Sequence, residues 1–567
     1  MRLFRKKRKF SIHEIDPDEI FLDSKNLPQF DTQQFEGRIE KPISSTTVVV
    51  LGVCFVIFGL LFTGRLGILQ LRDGHVYAKR SEDNSLNKRP IFAHRGILYD
   101  RNLVELAWNE EALNGDDFPH RAYIDKPGFA HVLGYMNYPQ KDKKGYYYKT
   151  EAEGKDGAEK IFNQRLSGVN GLKIEETNAH GETLTENAIN PPIDGENIVL
   201  SIDEGIQASL YESIAKHTGG SQGYRGGAGV IMDIYNGEII ALTSYPEYKP
   251  EVVSLGDDTE QINAYFKDSR KPFMNRAVGG IYTPGSIVKP FVGLAALNEG
   301  VISATKNILS NGSLSIPNPY FPDKKSIFKD HGVFGYVDMQ KAIAVSSDVY
   351  FYQVGGGYLD QPGLGILRID DYARKFGIAE KTGINLPGEI DGVIPTPEWK
   401  EKNFKGDIWR VGDTYNTSIG QYGFQVTPVQ MARATAGLAR KGVLVTPTIL
   451  KTNQTETTPA RVVEGIKDDA YSVVLQGMRK VVTEGTAQLL NVPYVKVAGK
   501  TGTAQVGISK QNVNSWIVGY FPYESPRYAF ALLMDYAPKD TTISASRVMR
   551  GVLDYMQNEK KEYFESF

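Results

Sequence analysis

Residues 42–64 carry no charged side chain, and within them the run 46–62 (TTVVVLGVCFVIFGLLF) is dominated by Val, Leu, Ile and Phe. This stretch constrains the chain more than any other, because about twenty such residues suffice to cross a bilayer as one helix. The basic cluster Arg5-Lys6-Lys7-Arg8-Lys9, together with Arg38 and Lys41, lies before it. That asymmetry keeps the amino end cytoplasmic and puts everything after about residue 65 outside. The apolar run begins late and no small-x-small site follows it, which reads as a retained anchor and not a cleaved signal. Cys54, the single cysteine, falls inside the anchor, so no intramolecular disulfide exists. Lys plus Arg (65) nearly balances Asp plus Glu (67), and the one dense basic run is explained by topology, so nothing points to nucleic acid. Eight scattered histidines without paired His/Cys spacing argue against a metal centre.

Residues 1–41 read as a polar cytoplasmic tail, interrupted by Pro17 and Pro28, and 42–65 as the transmembrane helix. From 66 to 195 the chain is charged and rich in turns, a membrane-proximal pedestal in which nothing assembles an active site. Composition shifts again near Asn197-Ile198-Val199-Leu200-Ser201-Ile202-Asp203, an alternating strand leading into an amphipathic helix and opening a last domain over 196–560. Two β-rich runs, 228–233 and 238–243, are joined around Asn236-Gly237, a strong hairpin signal. Near the other end, 494–498 is a strand candidate, and 516–520 with 528–534 form a second hairpin. A sheet drawn from both ends of one domain, with helices between, is an antiparallel or mixed α+β fold.

Chemistry is concentrated at Thr283-Pro284-Gly285-Ser286-Ile287-Val288-Lys289-Pro290, ahead of the apolar helical run 291–297. Ser286 and Lys289, three apart, share one helix face, and a first-turn position favours a developing anion. A hydroxyl with an amine one turn away is the plan of an activated serine nucleophile. The same spacing at Ser303/Lys306 and Ser326/Lys329 lacks a buried helix behind it. Ser346-Ser347-Asp348 follows the apolar helix 339–345, where a hydroxyl and a carboxylate ordinarily cap a helix. Lys500-Thr501-Gly502-Thr503 follows the strand candidate; glycine on a strand admits close approach, and the lysine and hydroxyls suit a carboxylate-bearing ligand. Lys381-Thr382-Gly383 repeats those letters in a loop.

Taken in order, these elements resemble the serine penicillin-recognising family, with its S-x-x-K, S-D-N and K-T-G set. More narrowly the chain is similar to class B penicillin-binding proteins, peptidoglycan D,D-transpeptidases. The likeness extends to Arg95-Gly96-Ile97-Leu98-Tyr99-Asp100-Arg101, Gly154-Lys155-Asp156-Gly157-Ala158-Glu159, Asn275-Arg276-Ala277, Ser418-Ile419-Gly420-Gln421 with Thr427-Pro428, and Trp516-Ile517-Val518-Gly519-Tyr520. Asp348 departs from it, standing where asparagine is usual, and this resembles the elongation-type members more than the division-type ones. The resemblance implies a β-lactamase/transpeptidase-like α+β domain, an antiparallel sheet flanked by helices, carried on an extended, dimerisation-like pedestal. It implies that Ser286 attacks the bond between the terminal D-alanines of a peptidoglycan stem peptide, with Lys289 as base, Ser346 relaying a proton to the leaving amine with Lys500 close by, and Lys500, Thr501 and Thr503 holding the substrate's terminal carboxylate. Burial and Lys500 are expected to disfavour the Lys289 ammonium. Asp348, Thr501, Gly502 and Thr503 are then substrate-binding, and the backbone N–H groups of Ser286 and Thr503 form the oxyanion hole. No metal or organic cofactor is implied. Partners implied are stem peptides, β-lactams as inhibitors and a membrane glycan polymerase. The alternatives on this fold are a D,D-carboxypeptidase or β-lactamase-like hydrolase and a non-catalytic β-lactam sensor.

Overall fold

The computed structural model describes residues 44–77, 79, 86–112, 116–143, 145–177, 183–221, 223–318, 320–321 and 323–565. The expected cytoplasmic tail and its basic run lie outside them. The described chain divides into two compact units, the first holding the described residues up to Leu86 with Thr177 and the second the remainder.

The first unit contains α1, Ser45–Gly67, which starts where the Ser44 hydroxyl accepts from the Thr47 N–H and continues as a π turn, Ile68–Arg72. No side chain of α1 is buried against protein, so its apolar surface is left for lipid. It is the single-pass membrane anchor, running two residues past the expected end at 65 because Leu66 and Gly67 extend the helix beyond Arg65. The catalytic domain is extracytoplasmic.

In the second unit the pedestal is built on a four-stranded sheet of β1 (Leu98–Tyr99), β2 (Glu105–Glu110), β3 (His120–Tyr123) and β4 (Ile198–Val199), in the order β4-β1-β2-β3. Helix α2 (Gly157–Ile161) packs beside it and carries the buried Glu159. The strand near 197 does not join the catalytic sheet; β4 pairs in parallel with β1 of the pedestal. It is a two-residue edge of the pedestal sheet, and its Ile198 is buried in the pedestal–catalytic core.

Helix α3 (Glu204–Ala215) follows, capped by Asp203, whose carboxylate accepts from Gly205 and Ile206 N–H. The catalytic sheet has five strands, all antiparallel: β5 (Gly226–Asp233), β6 (Ile239–Tyr245), β7 (Ala498–Val506), β8 (Asn512–Phe521) and β9 (Tyr528–Pro538), ordered β6-β5-β9-β8-β7. Both expected hairpins are present, and the two ends of the domain meet at the β5–β9 pairing. Strand β7 occupies an edge. Between β6 and β7 lie α4 (Lys289–Asn298), α5 (Met339–Val345), α6 (Asp348–Gly356), α7 (Pro428–Ala439) and α8 (Asp468–Thr483). Helix α7 is buried along its whole length against β5, β8 and β9, and it starts with Pro428 behind a capping box of Thr427 and Gln430. Helix α8 packs on β7 and α5, and the C-terminal α9 (Ala545–Glu559) packs on α3. The α+β class is as expected.

One strand was misplaced. The sequence suggests 494–498; the strand begins only at Ala498 and runs through the lysine-glycine motif to Val506. An edge strand whose outer face lines a groove carries polar residues at alternate positions, so its pattern hides in the sequence while the apolar lead-in stands out.

Candidate active site

Thr283 and Pro284 lead into a 3₁₀ turn, Gly285–Val288, and α4 begins only at Lys289. Ser286 was expected in the first turn of an α-helix; instead Gly285, at φ +57°, swings the chain into a tighter turn first. The consequence for the chemistry is small, because side chains at i and i+3 eclipse in a 3₁₀ turn and Ser286 still shares its side with Lys289. Pro290 sits at the start of α4, where its missing N–H costs nothing.

Strand β7 is clamped onto this turn. The Trp516 indole N–H on β8 donates to the Thr283 carbonyl at 3.0 Å. A Cβ on Gly502 would lie 2.7 Å from the Pro284 carbonyl oxygen, so only glycine lets the strand come this close.

Ser346 closes α5 in the left-handed region, at φ +62°, and α6 starts two residues later. A serine held there is strained by roughly 1–3 kcal/mol, and such strain survives only where neighbours impose it. The imposing contacts belong to Ser347, which caps α6 by accepting from the Tyr350 N–H and donates its hydroxyl proton to Asp330 at 2.8 Å. The capping role thus falls to Ser347, which leaves the Ser346 hydroxyl free to turn toward the lysines.

Both lysines are completely buried. The Lys289 ammonium donates to the Ser346 carbonyl at 2.6 Å, to Asp348 Oδ1 at 2.6 Å and to Ser346 Oγ at 3.3 Å. Lys500 Nζ reaches Ser346 Oγ at 2.8 Å and donates to the Thr501 carbonyl at 2.9 Å. Ser346 therefore holds its hydroxyl between two amines. Burial, and then the Lys289 charge, push Lys500 well below the ordinary lysine range, with Asp348 only partly opposing them. Burial would raise the Asp348 carboxyl, but Lys289 and His331 outweigh it and hold the group ionised, below the usual range. The Asp348 carboxylate compensates Lys289, and Lys500 is the amine driven toward its neutral form.

Above the lysines opens a groove of about 1230 Å³. Ser286, Ser346, Asp348, Thr501, Gly502 and Thr503 all line it, so the eight residues singled out in the sequence converge on one place. Ser303, Ser326 and the loop Lys381-Thr382-Gly383 do not line it; Thr382 is tied up with Glu389. Sequence reasoning missed the aromatic wall of Trp399, Phe404 and Tyr422, and it missed Asp330 and His331. Asp330, His331 and Asp348 lie within 4.8 Å of one another. The hydrogen bond to Asp330 and the nearby Asp348 carboxylate raise His331 above the ordinary imidazole range, to about 9.

A serine at the mouth of a groove floored by two buried lysines, beside an edge strand, defines a lysine-assisted serine acyltransferase. The family model "Penicillin binding protein transpeptidase domain" matches residues 227–554, and "Penicillin-binding Protein dimerisation domain" matches 112–200. The peptidoglycan D,D-transpeptidase MrdA of Acinetobacter baumannii is 31% identical, over 87% of this chain and 75% of its own length. The crystal structure of Pseudomonas aeruginosa PBP2 in complex with WCK 5153 is similar at a TM-score of 0.69 and 29% identity, covering 85% of this chain and 100% of that one. Helicobacter pylori PBP2, solved as a complex with MreC, matches at a TM-score of 0.68 and 27% identity, covering 84% and 99%. The chain belongs to the penicillin-binding protein transpeptidase family, as a class B, elongation-type member. It is a membrane-anchored serine D,D-transpeptidase that cross-links peptidoglycan stem peptides and is acylated by β-lactams.

Proposed function

We propose that Ser286 is the nucleophile of this reaction and that Lys289, Ser346 and Lys500 are its proton path. The supporting observation is the Ser346 hydroxyl suspended between the two buried amines. Lys289 passes a proton through Ser346 to the neutral Lys500 and, as a free amine, takes the Ser286 proton while Ser286 Oγ attacks the carbonyl between the terminal D-alanines. Lys500 then returns its proton through Ser346 to the leaving D-alanine amine. Every group ends as it began, with the stem peptide esterified to Ser286. An amine of a neighbouring stem repeats the sequence in reverse and forms the cross-link. Positioned proton transfer of this kind contributes about 10²–10⁴-fold. Thr501 and Thr503 hold the substrate carboxylate, Asp348 and Gly502 shape its seat, and the backbone N–H groups of Ser286 and Thr503 receive the oxyanion. Gly285 supports the last assignment, since a Cβ there would lie 3.1 Å from the Thr503 carbonyl oxygen, which brings the two backbones side by side.

We place the pedestal from the end of the anchor at Gly67 to β4 at Ile198–Val199, a few residues past the expected 195, and the transpeptidase from there to 560. The partner proposed to supply the strands is a membrane glycan polymerase, as the family resemblance implies. The Helicobacter pylori relative's complex with MreC supports a protein of that kind as a second partner.

A fluorescent penicillin tests the assignment. Full-length protein is labelled, Ser286→Ala abolishes labelling, and Ser303→Ala and Ser326→Ala retain it. Label persisting on Ser286→Ala ends the reading. Slow release of the penicilloyl group separates the transpeptidase from a hydrolase on the same fold.

A further inference from the structure

Asp330 and His331 lie in the loop before α5, outside every motif read from the sequence. Asp330 is buried and tied to the segment that carries Ser346. Its Oδ2 accepts from the Ser347 hydroxyl at 2.8 Å, the Val349 N–H at 2.9 Å and the Ser310 hydroxyl at 3.1 Å. Its other oxygen, Oδ1, lies 3.0 Å from His331 Nδ1, and that nitrogen is 3.7 Å from Asp348 Oδ2. The remaining oxygen of Asp348 takes the Lys289 ammonium at 2.6 Å. Charges therefore alternate along one line: Asp330, His331, Asp348, Lys289. The His331 side chain is half exposed and lines the groove, with the Phe334 ring 5.1 Å from it.

We propose that His331 is a positioning residue for acyl transfer, its imidazolium drawing on the Asp348 carboxylate so that Asp348 holds Lys289 in place without locking a proton onto it. The inference rests on the reading of Lys289 as the group that deprotonates Ser286. A lone carboxylate at 2.6 Å stabilises an ammonium and makes it a poor proton donor to Ser346. A second cation on the same carboxylate weakens that hold, because the anion is shared. This answers the question that Asp348 raises by standing where the family usually has asparagine. An uncharged amide needs no such partner.

Three charged groups face His331: Asp330 from its own loop, Asp348 from α6 and Lys289 from α4. The close contact with Asp330 and then the Asp348 carboxylate 3.7 Å away raise it to about 9, with burial and Lys289 opposing. The imidazolium is therefore present at neutral pH and is lost as pH climbs through about 9. The proposed internal transfer between the lysines takes no net proton from solvent, so this titration shows directly in the rate.

The test is the second-order rate of acylation by a fluorescent penicillin, by stopped flow from pH 6 to 10.5, on full-length protein in detergent. The wild type is expected to show a plateau that steps down near pH 9. His331→Gln is expected to be slower at pH 7 by roughly tenfold, the order of losing one partly buried ion-pair partner. It lacks the step and meets the wild-type curve above pH 10. His331→Lys keeps a cation and holds the plateau beyond pH 9. Superposable wild-type and His331→Gln profiles overturn the inference. So does a loss of the same factor at every pH, because that is what a merely structural residue gives. Labelling that survives Ser286→Ala would instead sink the underlying assignment, so the two failures are distinguishable.

Discussion

Two clusters of buried charge sit in this protein, and they use their cations differently. In the pedestal, Glu159 is fully buried between Arg95 and Arg121, whose Nε atoms donate to its two oxygens at 2.5 and 2.7 Å. Arg95 spends its remaining donors on the Glu159 and Ala152 carbonyls and on Asn163. In the catalytic domain, Lys289 and Lys500 are equally buried but share one nearby carboxylate, Asp348, and one hydroxyl, Ser346. Burial would raise Glu159, yet Arg121 and Arg95 outweigh it and hold the carboxyl below its usual range. Arginine cannot release its proton in a protein, and its planar fork fixes geometry. Lysine can give up its proton when buried, and Lys500 is the one driven that way here. One cluster therefore fixes shape, and the other holds the amines proposed to move protons.

The sharpest way to break that distinction is to exchange the cation types. Lys289→Arg keeps the charge but removes the ability to release a proton. It should lower penicillin acylation by about 10²–10⁴-fold while the protein still folds. The measurement is acylation rate beside a thermal melt. A near-wild-type rate would mean that Lys289 supplies only charge, and the contrast with the pedestal would collapse.

The next largest effect belongs to the pedestal. Glu159→Ala strands two buried guanidinium groups, which costs about 3–5 kcal/mol. Denaturant unfolding should show that loss, whereas acylation per folded molecule should be unchanged. A loss of rate without a loss of stability would make this triad part of the catalytic apparatus.

How far each cluster was legible follows from whether its geometry is local. Ser286 and Lys289 are neighbours on one turn, so their spacing alone placed them together. Ser346 and Lys500 were readable only through the family's ordered motifs, since 154 residues separate them and the fold alone brings Oγ and Nζ to 2.8 Å. His331 gave no signal. A Lys-Asp-His-Gly stretch reads as a surface turn, and its meaning comes from α6 arriving beside it. The same limit hid β7, where Lys500 and Gly502 interrupt the apolar pattern at the point where the strand does its work. The buried Arg–Glu–Arg triad was visible only as matched family letters around Arg95 and Glu159, and Arg121 was not read at all.

The stability of the two clusters should also respond differently to pH. Glu159 has a depressed pKa, so its contribution is full above the unfolded value of about 4.3 and is lost only as the solution turns strongly acidic. His331 runs the other way. Its contribution is full below about 6.5 and disappears as pH rises through about 9. Thermal midpoints of wild type and His331→Gln should therefore differ at pH 6 and converge by pH 10. The difference between wild type and Glu159→Ala should hold across that whole range. A constant His331 difference would mean that its bonds to Asp330 and Asp348 do not depend on its charge.

Asp348→Asn should give the smallest effect on rate and the finest discrimination. Asparagine is what the family usually carries here, so the groove accommodates it, and labelling at pH 7 should stay within about tenfold of wild type. The amide still offers an oxygen to Lys289, but it no longer transmits charge from His331. The step in acylation rate near pH 9 should therefore vanish, although His331 remains in place beside Asp330. If the variant folds and cannot be acylated, Asp348 takes part in the chemistry itself. If the step persists, His331 reaches the lysines by a route that bypasses Asp348, and the alternating line of charge is not how this site sets the basicity of its lysine.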